Sequence, residues 1–330
     1  MDNQILVSVI IPTYKRSVSY VSRAVESVLN QTYPYIEYII LDGASNDRTV
    51  EIANQTYPYV EIIVVDDSTD EYEGRKEVEK YIDGLNRSNL IYCKNEKNLG
   101  GSLSRNRGIE LAKGKYITFL DDDDEYLPEK IEKQLEFMLE NSYDMTFSDM
   151  IMYSSDNRVV DYREYNDIPS FDNETLLHYH LAKHLTGTPT FMYKAEKLRE
   201  IGCFEDAKMG QEFYLMLKSI QRGLSIGYLP ECYVKIYKHP DGGISSGKNK
   251  INGENRLYEF KKTLFDRLSK KEIRFIRFRH YAVMVVAFKR NRMPFKMIGA
   301  GIMALFSSPV DFIKEVGGFV MKIISHRQKK

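Results

Sequence analysis

The chain has 330 residues, 43% of them hydrophobic and 28% charged, with 47 Lys/Arg balanced by 47 Asp/Glu. This composition excludes a disordered or low-complexity chain, and the length suits one large α/β domain with an appendage, or two domains. The balance is uneven along the chain: residues 271–330 hold 13 Lys/Arg against 3 Asp/Glu, a surplus of +10, so residues 1–270 carry −10.

Cys93, Cys203 and Cys232 are isolated and lack CxxC spacing. They fit a reducing compartment and argue against a disulfide framework or a zinc site. The first apolar run is too short for a signal peptide, and no stretch approaches the ~18 apolar residues of a spanning helix. The nearest, MIGAGIMALFSSPV (297–310), reads as a buried or interfacial helix.

In chain order, VSVII (7–11) reads as a buried strand stopped by Pro12, and Ser22–Asn30 carries a helical apolar stripe of Ala24, Val25, Val28 and Leu29. Strands follow at 38–41, 62–65, 90–93 and 116–120, with helices expected at 46–54 and 72–85 and after the Gly-rich NLGGSLSRN (98–106). A charged helix to about Asn141 leads to a strand at 144–148. Beyond 150 the pattern loosens: a hairpin or irregular insert at 154–169, a helix at 173–184, a strand at 191–193 and a helix at 212–222. HPDGGISSGKNK (239–250) reads as a flexible loop, and 251 onward as helices broken near Pro294. Alternating strands and helices over the first ~150 residues predict a mostly parallel sheet flanked by helices, with ligands at the carboxyl ends of its strands. That edge would hold Pro12, Thr13, Tyr14, Asp42, Asp66, Asp67 and Asp121–Asp124.

One octet occurs twice. NQTYPYIE (30–37) returns as NQTYPYVE (54–61), each running into an apolar stretch with an acidic tip, EYIILDGAS and EIIVVDDST. The copies lie 24 residues apart, and two copies are too few for a repeat architecture.

Several residues suit chemistry. LDDDDEYLPEKI (120–131) sets four carboxylates at a strand end. A divalent cation, Mg²⁺ or Mn²⁺ by the all-oxygen donor set, would relieve their repulsion; a solvated acidic turn is the alternative. In an extended segment Asp121 and Asp123 face one way, Asp122 and Asp124 the other. Asp42, Asp66 or Asp67 can accept a base imide or a ribose hydroxyl, or simply serve a turn. Arg105 and Arg107 follow two glycines at a helix start, where phosphate binds; a helix entry with surface arginines reads as well. Glu212 lies in the first turn of an amphipathic helix whose Phe213, Leu215 and Met216 can bury its surroundings, a setting for a functional carboxylate or a dipole-compensating acid. His239 sits in the Gly/Ser loop. Absence of GxxxxGK[ST] disfavours P-loop chemistry.

The ordered set VSVIIPTYKR, SVLNQTYP, IEYIILDGASNDRT or VEIIVVDDS, NLGGSLSRNRGI, GKYITFLDDDDEYLPEKI and GQEFYLMLK resembles the family 2 glycosyltransferases of the GT-A fold, across about residues 5–240. The resemblance implies a Rossmann-like nucleotide-binding half (1–125), an acceptor-side half (126–240) and a helical extension (241–330). It implies an inverting transfer from a nucleotide-diphosphate-sugar, most simply a UDP-sugar, to a hydroxyl of a glycan or lipid-linked saccharide in cell-surface polysaccharide synthesis. Pro12, Thr13 and Tyr14 would lie beside the base, which Asp42 or Asp67 would read, and Arg105 would lie near the nucleotide. Asp121 and Asp123 match the outer positions of the family's DxD motif, with Asp123 the direct ligand of Mn²⁺ or Mg²⁺, Asp122 at the ribose and His239 near metal or diphosphate. Glu212 matches the acceptor-activating base, where many members carry Asp.

A non-catalytic sugar-nucleotide-binding or scaffold member of the same fold is the alternative. No nucleic-acid partner is expected. Localisation is expected to be cytoplasmic, with the basic tail on the inner face of the membrane through Phe275, Phe278, Tyr281, Val285 and Phe288.

Overall fold

A computed structural model describes residues 5–13, 18–33, 36–42, 62–66, 90–94, 99–154, 156–185, 187–207, 209–238, 247–315 and 317, with backbone alone for 13, 18–22, 36–42, 62–66, 90–94 and 247–248. The helices expected at 46–54 and 72–85 lie outside these residues. By internal contacts the chain forms two units, one of residues 1–175 and 185–240, the other of residues 176–184 and 241–330.

Eight of the described strands of the first unit form one sheet. Its strands are β1 (Val7–Thr13), β2 (Ile36–Asp42), β5 (Tyr116–Phe119), β6 (Glu125–Tyr126), β7 (Met145–Ser154), β8 (Val159–Arg163), β9 (Met192–Lys194) and β10 (Ile226–Lys238), in the order β2-β1-β5-β9-β7-β10-β6 with β8 on β7. A parallel pair, β3 (Ile62–Asp66) and β4 (Leu90–Lys94), runs with β3 close to β2. Pairing is parallel for β2-β1-β5, the half that the alternating sequence pattern covers. It becomes mixed beyond, where β9 runs antiparallel to both β5 and β7.

β1 continues through Pro12 rather than stopping there. Its even-numbered residues face β5, since the carbonyls of Leu6 and Ile10 accept from Lys115 and Leu120. The missing N–H of Pro12 therefore points past Phe119, where β5 pairing has ended, while Pro12 stays in register with Leu41 of β2. A proline is tolerated where no ladder partner exists.

The odd face of β1 (Val7, Val9, Ile11) is covered by Ala24, Val25 and Val28 of α1 (Val18–Leu29) and by Ile131, Leu135 and Met138 of α3 (Lys130–Asn141). This is the stripe read from the sequence, and each such valine contributes roughly 1.5–3 kcal/mol on burial. α2 (Gly100–Leu111) packs against β1 too, and a Cβ on Gly114 after it would lie 2.6 Å from the Ser8 amide nitrogen. Only glycine allows that approach, which the Gly114 N–H to Ser8 Oγ hydrogen bond (2.9 Å) completes.

After β8 come α4 (Asn173–Lys183), α5 (Ala195–Glu200) and α6 (Gln211–Gln221). The second unit contains the later part of α4, then α7 (Gly247–Lys262), α8 (Lys270–Arg290) and α9 (Pro294–Ser307). A capping box between Ser269 and Glu272 starts α8, and Glu272 also meets His178 Nδ1 at 2.8 Å. Pro294 opens α9, so the expected break falls just before it. The apolar stripe expected to be interfacial on α8 is turned inward instead: Phe278 is buried, and Phe275, Tyr281, Val285 and Phe288 are half-buried, because α8 packs against both α7 and α9.

Candidate active site

β1 is parallel to both β2 and β5, so their carboxyl ends share one edge. Thr13 and Asp42 are register partners there, and β2, not β3, occupies the place beside β1. Of the remaining residues expected on this edge, Tyr14 and Asp67, together with His239, lie outside the described residues.

The aspartates form a turn, not the extended segment the sequence suggested: the Asp124 amide donates to the Asp121 carbonyl at 3.0 Å. Exposure alternates all the same, with Asp121 and Asp123 half-exposed and Asp122 and Asp124 buried. The turn is held from several sides. Arg23 of α1 donates to the Asp123 carbonyl and lies 3.9 Å from the centre of the Tyr237 ring. The Tyr237 amide donates to Asp124 Oδ1 at 3.0 Å, and its hydroxyl donates to Glu125 at 2.7 Å. Beneath it, Thr118, Tyr126, the Phe119 carbonyl and the wholly buried Lys130 amine form one hydrogen-bonded chain. Burial drives the Lys130 amine well below its ordinary value. Burial, then the charges of Asp121 and Asp123, push the Asp124 carboxyl well above the carboxylate range.

Arg105 connects this turn to α6. Its Nη2 donates to Asp121 Oδ1 at 2.6 Å and its Nη1 to Gln211 Oε1 at 2.8 Å. Gln211 is the first residue of α6 and Glu212 the second. Gly210 precedes them at φ +77°, a left-handed position that glycine fills without strain. Other residues of the Gly-rich motif fasten the approach to α6: Asn106 makes two 2.8 Å hydrogen bonds with the Phe204 backbone, and Ser102 Oγ donates to the Ala207 carbonyl at 3.1 Å. Arg107 is the surface arginine, bonded to Glu110 at 2.6 Å. Phe213, Leu215 and Met216 are buried, which fixes α6, and Glu212 is half-buried at its start.

Among the described residues, no three or more His, Cys, Asp or Glu side chains converge as a metal cage. Asp121 and Asp123 are half-exposed and offer only oxygen donors, the ligand type of a hard cation. Sequence reasoning did not find Gln211, Arg23 or Tyr237. Gln211 was within reach as the neighbour of Glu212; Arg23 carries only the signal of a lone charge in VSYVSRAV (18–25).

The model of glycosyl transferase family 2 matches residues 8–56 and 52–202. This chain belongs to glycosyltransferase family 2. The match falls into two pieces that meet at the second copy of the octet, as expected where a stretch occurs twice. The enzyme is 30% identical over 244 residues to the putative teichuronic acid biosynthesis glycosyltransferase TuaG of Bacillus subtilis, covering 74% of this chain and 82% of that one. It is 26% identical over 277 residues to the putative colanic acid biosynthesis glycosyl transferase WcaA of Escherichia coli, covering 82% and 86%. Its fold is that of S. aureus TarS residues 1–349, with a TM-score of 0.56 at 19% identity over 93% of this chain and 82% of that one. The same TarS fragment with UDP-GlcNAc bound gives 0.54 at 18% identity, covering 92% and 91%. This glycosyltransferase therefore has the GT-A architecture its motifs imply.

Proposed function

We propose that this family 2 glycosyltransferase moves a sugar from a UDP-sugar to a hydroxyl of a glycan or lipid-linked saccharide in the synthesis of a cell-surface polysaccharide. The observation that carries the reading is Arg105, which ties the aspartate turn to the start of the helix bearing Glu212. In this reading a donor-side motif and an acceptor-side motif, far apart in sequence, meet through it. The choice of UDP is supported by the TarS complex with UDP-GlcNAc, and the polysaccharide setting by the teichuronic and colanic acid relatives.

In this reading the base lies against Pro12, Thr13 and Tyr14, with Asp42 reading its edge and Asp122 at the ribose. Arg105 balances diphosphate charge while holding Asp121. Asp123 and Asp121 hold Mn²⁺ or Mg²⁺, with His239 as a further ligand, and the bound cation supplies stabilisation of the leaving diphosphate. Glu212 accepts the proton of the acceptor hydroxyl, whose oxygen attacks the anomeric carbon and inverts it.

The test is a screen of nucleotide-sugars with Mn²⁺, reading released nucleotide diphosphate with and without bacterial glycan acceptors. Wild-type enzyme should release UDP and glycosylate an acceptor. Glu212→Gln should bind donor with near-native affinity and transfer nothing. Normal turnover by that variant would remove Glu212 from the role, and release of a different nucleotide would correct the donor.

A further inference from the structure

The second unit carries an apolar surface that nothing in the transfer chemistry uses. α9 turns Ala300 and Ala304 inward, and it packs against α8. The opposite side holds large apolar residues at spacings of three and four: Phe295, Ile298, Ile302 and Phe306 are 88%, 57%, 50% and 78% exposed. At 100° per residue these four fall within one arc, as an amphipathic face requires. Val310 and Ile313, in the helical turns that follow, are also exposed. Phenylalanines this open, within a row of aliphatic side chains, mark an interaction surface rather than scattered surface residues.

Charge identifies the occupant. From residue 273 to 310 there is no Asp or Glu, and seven Lys/Arg: Arg274, Arg277, Arg279, Lys289, Arg290, Arg292 and Lys296. All seven are exposed, and the last four cluster at the end of α8 and the start of α9, beside Phe295. No described helix is long and apolar enough to cross a membrane. We propose that α9 lies in the plane of an anionic lipid bilayer, with Phe295, Ile298, Ile302 and Phe306 among the acyl chains and the α8–α9 basic cluster at the headgroups. A second copy of this chain is the poorer occupant, since it would bring a second α8–α9 cluster of four cations of the same sign to this face. The inference stands on this face and its charge, and does not depend on the identity of the sugar or on Glu212.

The experiment is flotation of the full chain with phosphatidylcholine vesicles, with and without phosphatidylglycerol, at low and high salt. Wild type should float with the anionic vesicles at low salt, and high salt should weaken binding roughly tenfold or more. Phe295→Ser combined with Phe306→Ser should abolish flotation while circular dichroism and donor binding stay unchanged. Lys289→Gln, Arg290→Gln, Arg292→Gln and Lys296→Gln together should lose the preference for phosphatidylglycerol. Failure of wild type to float, or undiminished flotation of the double Phe variant, would overturn the proposal. So would a dimer in light scattering that the Phe variant dissolves while vesicle binding persists.

Discussion

Arg105 and Asp121, sixteen residues apart, form a 2.6 Å ion pair at the carboxyl edge of the sheet, and the same guanidinium holds Gln211 across 106 residues. One planar fork thus sets the spacing between the aspartate turn and α6. Lysine offers a single point charge and cannot serve both partners. Arg105→Lys should therefore lower kcat/KM by about 100-fold, in line with the ~2–3 kcal/mol of a charge-assisted hydrogen bond. Arg107→Lys, on the surface, should stay near wild type. Steady-state kinetics on both variants checks the difference; equal losses would show that neither arginine is special to the site.

Asp123→Ala should abolish the dependence of donor binding on Mn²⁺. The measurement is a calorimetric donor titration with Mn²⁺ and with EDTA. Wild type should bind more tightly with the ion, and the variant should bind equally weakly under both conditions. An unchanged response to Mn²⁺ would move the cation to other ligands.

The doubled octet gives a prediction that neither copy alone could. β2 ends on Asp42 beside Thr13, whereas β3 pairs with β4 and not with β1. Asp42→Ala should weaken donor binding about tenfold, the equivalent of one lost hydrogen bond to the base. Asp67→Ala should leave it within about twofold to threefold, well under that bond's worth. Equal small losses in the two variants would mean that neither carboxylate reads the base.

Lys261 predicts a pH dependence of stability. Its amine is buried, donates to the Nε2 of His184, and is pushed down to about 7 by burial first. His184 is itself held well below its ordinary value, by burial and then by Lys261, so the imidazole is the neutral acceptor. Between about pH 7 and the unfolded value of 10.5, the unfolded chain binds the extra proton. This lysine's contribution to stability therefore rises with pH across that window and is lost as pH falls through 7. Denaturant unfolding of wild type and Lys261→Met, compared at pH 6.5 and pH 10, should show a gap that changes by a few kcal/mol, since each tenfold difference in proton affinity is worth about 1.4 kcal/mol. A gap independent of pH would place the amine in water.

What was legible in the sequence was local and repetitive. The β-branched runs and the 3.6-residue stripe of α1 marked the parallel half of the sheet, because a strand buried on both faces and a one-sided helix leave direct compositional traces. β10 left none. Its thirteen residues include Pro230, Glu231 and two lysines, and pairing with β7 on one side and β6 on the other makes them a strand. The aspartate turn was open in the sequence only as one of two alternatives, since an Asp run has no period to read and the Asp124-to-Asp121 hydrogen bond is what closes it.

The sequence by itself determined the family, the order of its motifs and the concentration of acid at strand ends, because those follow from residue types and spacing along the chain. Tertiary structure alone decided which strand of the duplicated pair sits beside β1 and which helix of the basic extension keeps its apolar face outward. Each is a choice between chemically similar neighbours. Local sequence gives the strands that follow the two octets, or two apolar helices, much the same preference, and what separates them is the packing partner each one meets when the chain folds.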